Sequence, residues 1–157
     1  VTRVALMDTS PLPETPQMAA TREPQIVAVR AGRLDSLIRE EIGPESLAIG
    51  SRRGEVLNLL IEMAQSLGPD IFIAQSRALQ RRPDQQKVLR TMRVPALVLC
   101  GEQDVVSPVK RHEFMAELIP YSDFRVIPDA GRFPTLEQPQ AASEALAEWL
   151  KSPMVLR

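Results

Sequence analysis

The 157 residues predict an α/β fold with a short parallel sheet of about three strands, flanking helices and an inserted helical segment. Three observations lead there. Continuously apolar runs occur at "VALM" (4–7) and "ALVLC" (96–100), as expected of parallel strands covered on both faces, and "FRVIP" (124–128) reads as a third strand. Helical spacing separates the last two runs and follows the third, so the order is strand, helix, strand, helix, which implies right-handed crossovers. Residues 11–92 show helical spacing without a strand.

Each element has a local reason. Residues 1–8 form the first strand, buried on both faces, and stop at "DTSPLPETP", where Pro11, Pro13 and Pro16 make a stiff linker. Ile26, Val27, Val29, Leu34, Leu37 and Ile38 recur at helical spacing over residues 25–41, ending near Gly43-Pro44. Val56, Leu60, Met63 and Leu67 form a stripe over 55–67, and Gly68 stops it. Pro69 and Asp70 open a further helix to Arg82, and a short element follows around 86–92. After the 96–100 strand and "GEQDVVSP", Ser107 as N-cap and Pro108 as first helical residue predict a helix over 108–119. The last helix spans about 138–151, with Ala142, Leu146, Trp149 and Leu150 on one face.

Composition narrows function by exclusion. Nineteen basic and twenty acidic residues leave a net charge of −1, which gives no global field to attract nucleic acid or an anionic membrane. A lone cysteine, Cys100, rules out an internal disulfide framework and fits a reducing, cytoplasmic compartment. No apolar stretch is expected to reach the length of a membrane span, and the first residues lack a signal-peptide pattern. They also lack an initiator methionine, so the chain is read as one that could have been cut from a longer protein.

The second half resembles a known family. "VPALVLCGEQDVVSP", a helix, then "FRVIPDAGRFPTLEQPQAASEALAEWL" is similar to the C-terminal part of the α/β-hydrolase fold. The resemblance implies a triad acid in the loop after the seventh strand and a histidine after the eighth, commonly as Gly-His-x-Pro-x-x-Glu-x-Pro. Asp104 falls at the acid position; Gly131, Pro134, Glu137 and Pro139 match the second frame, and Arg132 stands where the histidine is expected. "RVALMDTSP" resembles the sixth strand. The implied division is residues 1–10 and 93–157 as a partial hydrolase core and 11–92 as the helical cap. The Gly-x-Ser-x-Gly nucleophile elbow of that fold does not occur in these residues; "GSRRG" (50–54) has the wrong spacing. The residues are expected to begin after the elbow. The parent activity implied is hydrolysis of an ester or related carbonyl by a Ser-His-Asp triad, on a small-molecule substrate, with no cofactor or metal and with this chain alone inactive.

Each candidate residue has a plain alternative. Asp104 can orient an imidazole or simply close an Asx-turn. A guanidinium does not release its proton near working pH, so Arg132 cannot act as the base; a charge-assisted contact with Asp104 is its expected role. His112, the only histidine, is expected on a surface or helix boundary, and Cys100 as an inert small hydrophobe. Glu102, Asp104, Asp129 and Glu137 read as a solvated acidic rim, and Arg77, Arg81 and Arg82 as a solvated helix face. The alternative to an enzyme part is a non-catalytic module. An uncovered apolar edge at residues 1–8 would make it self-associate or bind an N-terminal partner segment.

Overall fold

A computed structural model of the chain describes residues 1–41, 43–50 and 52–152. Strands β1 (Val4–Met7), β2 (Ala96–Gly101) and β3 (Ser122–Ile127) form one parallel sheet in that order. The register sets Val4 opposite Ala96 and Met7 opposite Leu99, then Ala96 opposite Ser122 and Gly101 opposite Ile127. Helix α5 (Val109–Leu118) links β2 to β3, while α6 (Pro134–Glu137) and α7 (Pro139–Lys151) follow β3.

The central strand is apolar throughout because both of its faces are covered. Leu97 and Leu99 pack with Ala145 and Trp149 of α7, while Ala96 and Val98 pack on the other face with Met115 of α5 and Ile119 just beyond it. All six β2 residues are buried. Burying each large aliphatic side chain contributes about 1.5–3 kcal/mol. Strand β1 departs from its predicted burial: Val4, Leu6 and Met7 are half-buried and Ala5 is exposed. It is an edge strand, paired on one side only among the described residues.

Between β1 and β2 run α1 (Pro16–Arg30), α2 (Leu34–Glu41), a 3-10 turn (Pro44–Ser46), α3 (Arg53–Gln80) and α4 (Gln86–Thr91). Here the structure corrects the predicted boundaries. Pro16 opens α1 instead of extending the linker, because Thr15 caps the helix by accepting from the Met18 amide at 3.2 Å and proline suits the first turn. Pro24 lies inside α1, where its missing N–H removes one ladder bond. The single helix expected over 25–41 is two, divided at Gly32, whose φ of 80° ends α1 in a left-handed turn. Val29, Leu34, Leu37 and Ile38 then close on Ile61 of α3 as a separate apolar cluster.

Taken as one 28-residue element, α3 is long and apolar enough, by length and composition, to cross a membrane. Gly68 (φ 78°, ψ 176°), followed by Pro69, breaks it into 53–67 and 69–80, each shorter than the roughly 20 residues a span requires. That break is the stop and restart predicted at Gly68.

Candidate functional site

Parallel strands that are neighbours deliver their C-terminal ends to one rim, and the turns after β2 and β3 therefore meet. Glu102 N–H donates to the Ile127 carbonyl at 3.0 Å and Gln103 N–H to that of Ala130 at 2.8 Å. Gly101 is required for this approach. A Cβ there would stand 2.1 Å from the Gly131 carbonyl oxygen and 2.4 Å from that of Ala130.

The Asp104 carboxylate is buried and fully engaged. Oδ1 accepts from the Val106 and Ser107 amides at 2.8 and 2.9 Å, and Oδ2 from Arg132 Nη1 at 3.2 Å. Arg132 Nη1 also donates to Ser107 Oγ at 2.9 Å. Ser107 is therefore not the cap predicted for α5: Pro108 occupies the N-cap position, and no side-chain bond caps the helix. The Arg132 side chain is 27% exposed, against 0% for that of Asp104, so the anionic partner of the pair is the more deeply buried one.

The loop that carries Arg132 is held from the helical side. Arg132 N–H donates to the Ser46 carbonyl at 2.8 Å. Glu137 Oε2 accepts from Ala48 N–H at 3.2 Å and from Gly131 N–H, making it a buried clamp rather than part of a solvated rim. Its other oxygen, Oε1, is buried without a hydrogen-bond partner. Among the described residues, no group of three His, Cys, Asp or Glu side chains is arranged to hold a metal.

Two groups under the site differ from expectation or were missed. His112 is completely buried, not on the surface, and its Nε2 accepts from Thr9 N–H at 3.0 Å, tying α5 to the loop after β1. Burial holds its imidazole below the usual value. Asp8, which no motif marks, ends β1 with a left-handed φ of 44° and accepts from Gly101 N–H at 3.1 Å. Burial, with Asp104 nearby, pushes its carboxyl up to about 7. The only sequence signal for it was its place at a strand's C-terminal end. Cys100 is buried, and desolvation with the charges of Asp8 and Asp104 pushes its thiol up to about 12, so it is no nucleophile at neutral pH. The basic run also divides: Arg77 pairs with Glu23 and Arg81 is exposed, but Arg82 is half-buried, with Nη2 donating to the Leu12 carbonyl at 2.8 Å. Arg77, in an exposed ion pair, and Arg81 fit the solvated face predicted for all three, and Arg82 does not.

Comparison with known proteins decides the architecture. The chain is similar to an esterase from Thermogutta terrifontis solved with malate bound, at 33% identity and a TM-score of 0.88, over 96% of this chain and 56% of that one. The chain has the C-terminal part of an α/β-hydrolase fold. The same α/β-hydrolase architecture extends to the enol-lactonase from Burkholderia xenovorans LB400 (19% identity, TM-score 0.82, 97% and 57% coverage). It also matches an esterase from Exiguobacterium antarcticum (19%, 0.80, 97% and 58%). The chain thus spans less than three-fifths of the length of these α/β-hydrolase proteins. No family model matches it, and no curated protein does.

Proposed function

We propose that this chain is the acid-and-cap part of a carbonyl hydrolase whose parent reaction is ester hydrolysis by a Ser-His-Asp triad. In this reading residues 1–10 and 93–157 are the partial core and 11–92 the cap. Asp104 occupies the acid position and Arg132 the position of the base. The observation that carries it is the 3.2 Å contact between those two side chains across neighbouring strand ends. Two backbone amides hold Oδ1 of Asp104, leaving Oδ2 for the residue at 132. An imidazole there would receive orientation and charge stabilisation from that oxygen. A guanidinium receives the same contact but cannot take a proton from a nucleophile. Two of the structural relatives are esterases and one is an enol-lactonase, which supports a carbonyl substrate.

The nucleophile and oxyanion donors would come from outside these residues, so the chain alone is expected to hydrolyse short-chain aryl esters no faster than background. Arg132→His, tested with a segment carrying a nucleophile elbow, should give turnover that Asp104→Ala removes. Turnover by the unaltered chain, abolished by Asp104→Ala, would overturn the reading.

The alternative of a self-associating or partner-binding module has its own support. Strand β1 offers an edge, and Leu59, Met63, Leu67 and Ile71 of α3 are 41–55% exposed. Apolar side chains in such a row are what a missing segment or second copy would cover.

A further inference from the structure

We propose that the cleft between the loop after β1 and helices α1, α3 and α5, lined in part by Arg132, binds a small dianion through carboxylate or phosphate oxygens. The cleft holds about 360 Å³, within the range of small-molecule pockets. Its walls carry four guanidiniums, those of Arg22, Arg82, Arg111 and Arg132, against one carboxylate, Glu14. In a chain of net charge −1 this concentration is local and does not follow from composition.

Two of the four charges are already balanced. Arg22 donates from Nε to both Glu14 oxygens at 2.8 and 2.9 Å, and again from Nη2. Arg132 is paired with Asp104. The other two meet only neutral acceptors among the described residues: Arg82 the Leu12 carbonyl at 2.8 Å, and Arg111 the Ser10 hydroxyl at 3.2 Å. Arg82 also keeps its Nε buried without a hydrogen-bond partner. Its charge reaches the cleft, because the Glu14 carboxyl is held below its usual value first by Arg22 and then additionally by Arg82.

Two guanidiniums that line one cleft without an ion pair of their own leave donors unused, and a ligand with two negative charges can take them up. The guanidinium fork suits carboxylate and phosphate oxygens alike. Ser10 and Ser107 already accept from Arg111 and Arg132, which leaves their O–H groups to donate to the same ligand. Leu12, Met18 and Val106 line the rest and reduce water's screening of these contacts.

Calorimetric titration of the 157-residue chain at fixed chloride tests this without any turnover, so its outcome is separate from that of the hydrolase reading. The probes are inorganic phosphate, succinate and the neutral succinamide. Saturable one-to-one binding of at least one dianion, and none of succinamide, is the expected result; the preferred dianion identifies the ligand chemistry. Arg111→Gln and Arg82→Gln should each weaken binding about tenfold or more. Arg125→Gln, whose guanidinium pairs with Asp123 on β3, should not. If circular dichroism shows that a glutamine variant has lost its structure, Arg111→Lys decides, since it keeps the charge and loses the fork. Absence of saturable binding to either dianion, an equal loss in Arg125→Gln, or undiminished binding in Arg111→Lys and both glutamine variants would overturn the proposal.

Discussion

Asp8 turns its carboxylate onto the Gly101 amide at the end of β1, in a left-handed backbone that aspartate and asparagine tolerate better than other side chains. Its carboxyl is raised from 3.8 to about 7, so in that interval the folded chain keeps a proton that the unfolded chain has released. The Asp8 contribution to stability therefore falls as pH rises from about 4 to about 7, then levels. His112 acts in the opposite sense, losing stability as pH falls through its usual 6.5, so the two must be separated by difference. The melting temperature of Asp8→Asn relative to the unaltered chain should rise across that window; a pH-independent difference would rule the account out. Cys100, fully buried and with a raised thiol, should resist thiol reagents in the folded chain and react at once in denaturant. Of the site, the Asp104–Arg132 contact was legible because both residues sit in loops with recognisable frames. Asp8, Arg82 and Arg111 were not, since nothing local in the sequence says that a lone charge will be brought under or beside another far away in the chain.

Helix and strand boundaries were legible where a single force dominates. Strand β2 is apolar because it is covered on both sides, and Gly68-Pro69 stops a helix whatever surrounds it. Where two readings of one residue compete, the sequence was ambiguous: Pro16 suits a linker and a first helical turn equally, and Thr15 settles it only once its cap bond forms. Glycines separate in the same way, and their replacement tests the packing. Gly101→Ala places a Cβ 2.1 Å from a backbone oxygen and should cost about 3 kcal/mol or more in urea unfolding. Gly68→Ala meets nothing within 4 Å but holds an alanine at φ 78°, ψ 176°, a region that essentially only glycine populates, and should cost about 1–3 kcal/mol. Equal effects would mean that the two strand-end turns do not pack as described. Glu137→Ala strands the Ala48 and Gly131 amides and should cost about 2–4 kcal/mol, loosening the loop of Arg132 from the helices above it.

At the scale of the whole molecule, the β1 edge and the exposed apolar row on α3 are the surfaces on which the module reading rests. A four-residue strand such as β1 can offer few backbone bonds to a neighbour, and stable interfaces bury about 1,000 Å² or more, so edge pairing alone would be weak. The exposed row on α3, from Leu59 to Ile71, supplies the apolar area that an edge lacks. Sedimentation is expected to show reversible self-association at micromolar concentration. Ala5→Lys puts a charge on the exposed position of the edge strand, where lysine discourages pairing, and Met63→Lys does so on the helix row. If both surfaces belong to one contact, each substitution alone shifts the equilibrium toward monomer, and the double variant adds little. If only Met63→Lys acts, the helix face carries the association and β1 is a passive edge. A chain that stays monomeric and unfolds cooperatively across the concentration range would mean that neither surface draws a second copy, and the module reading would fail.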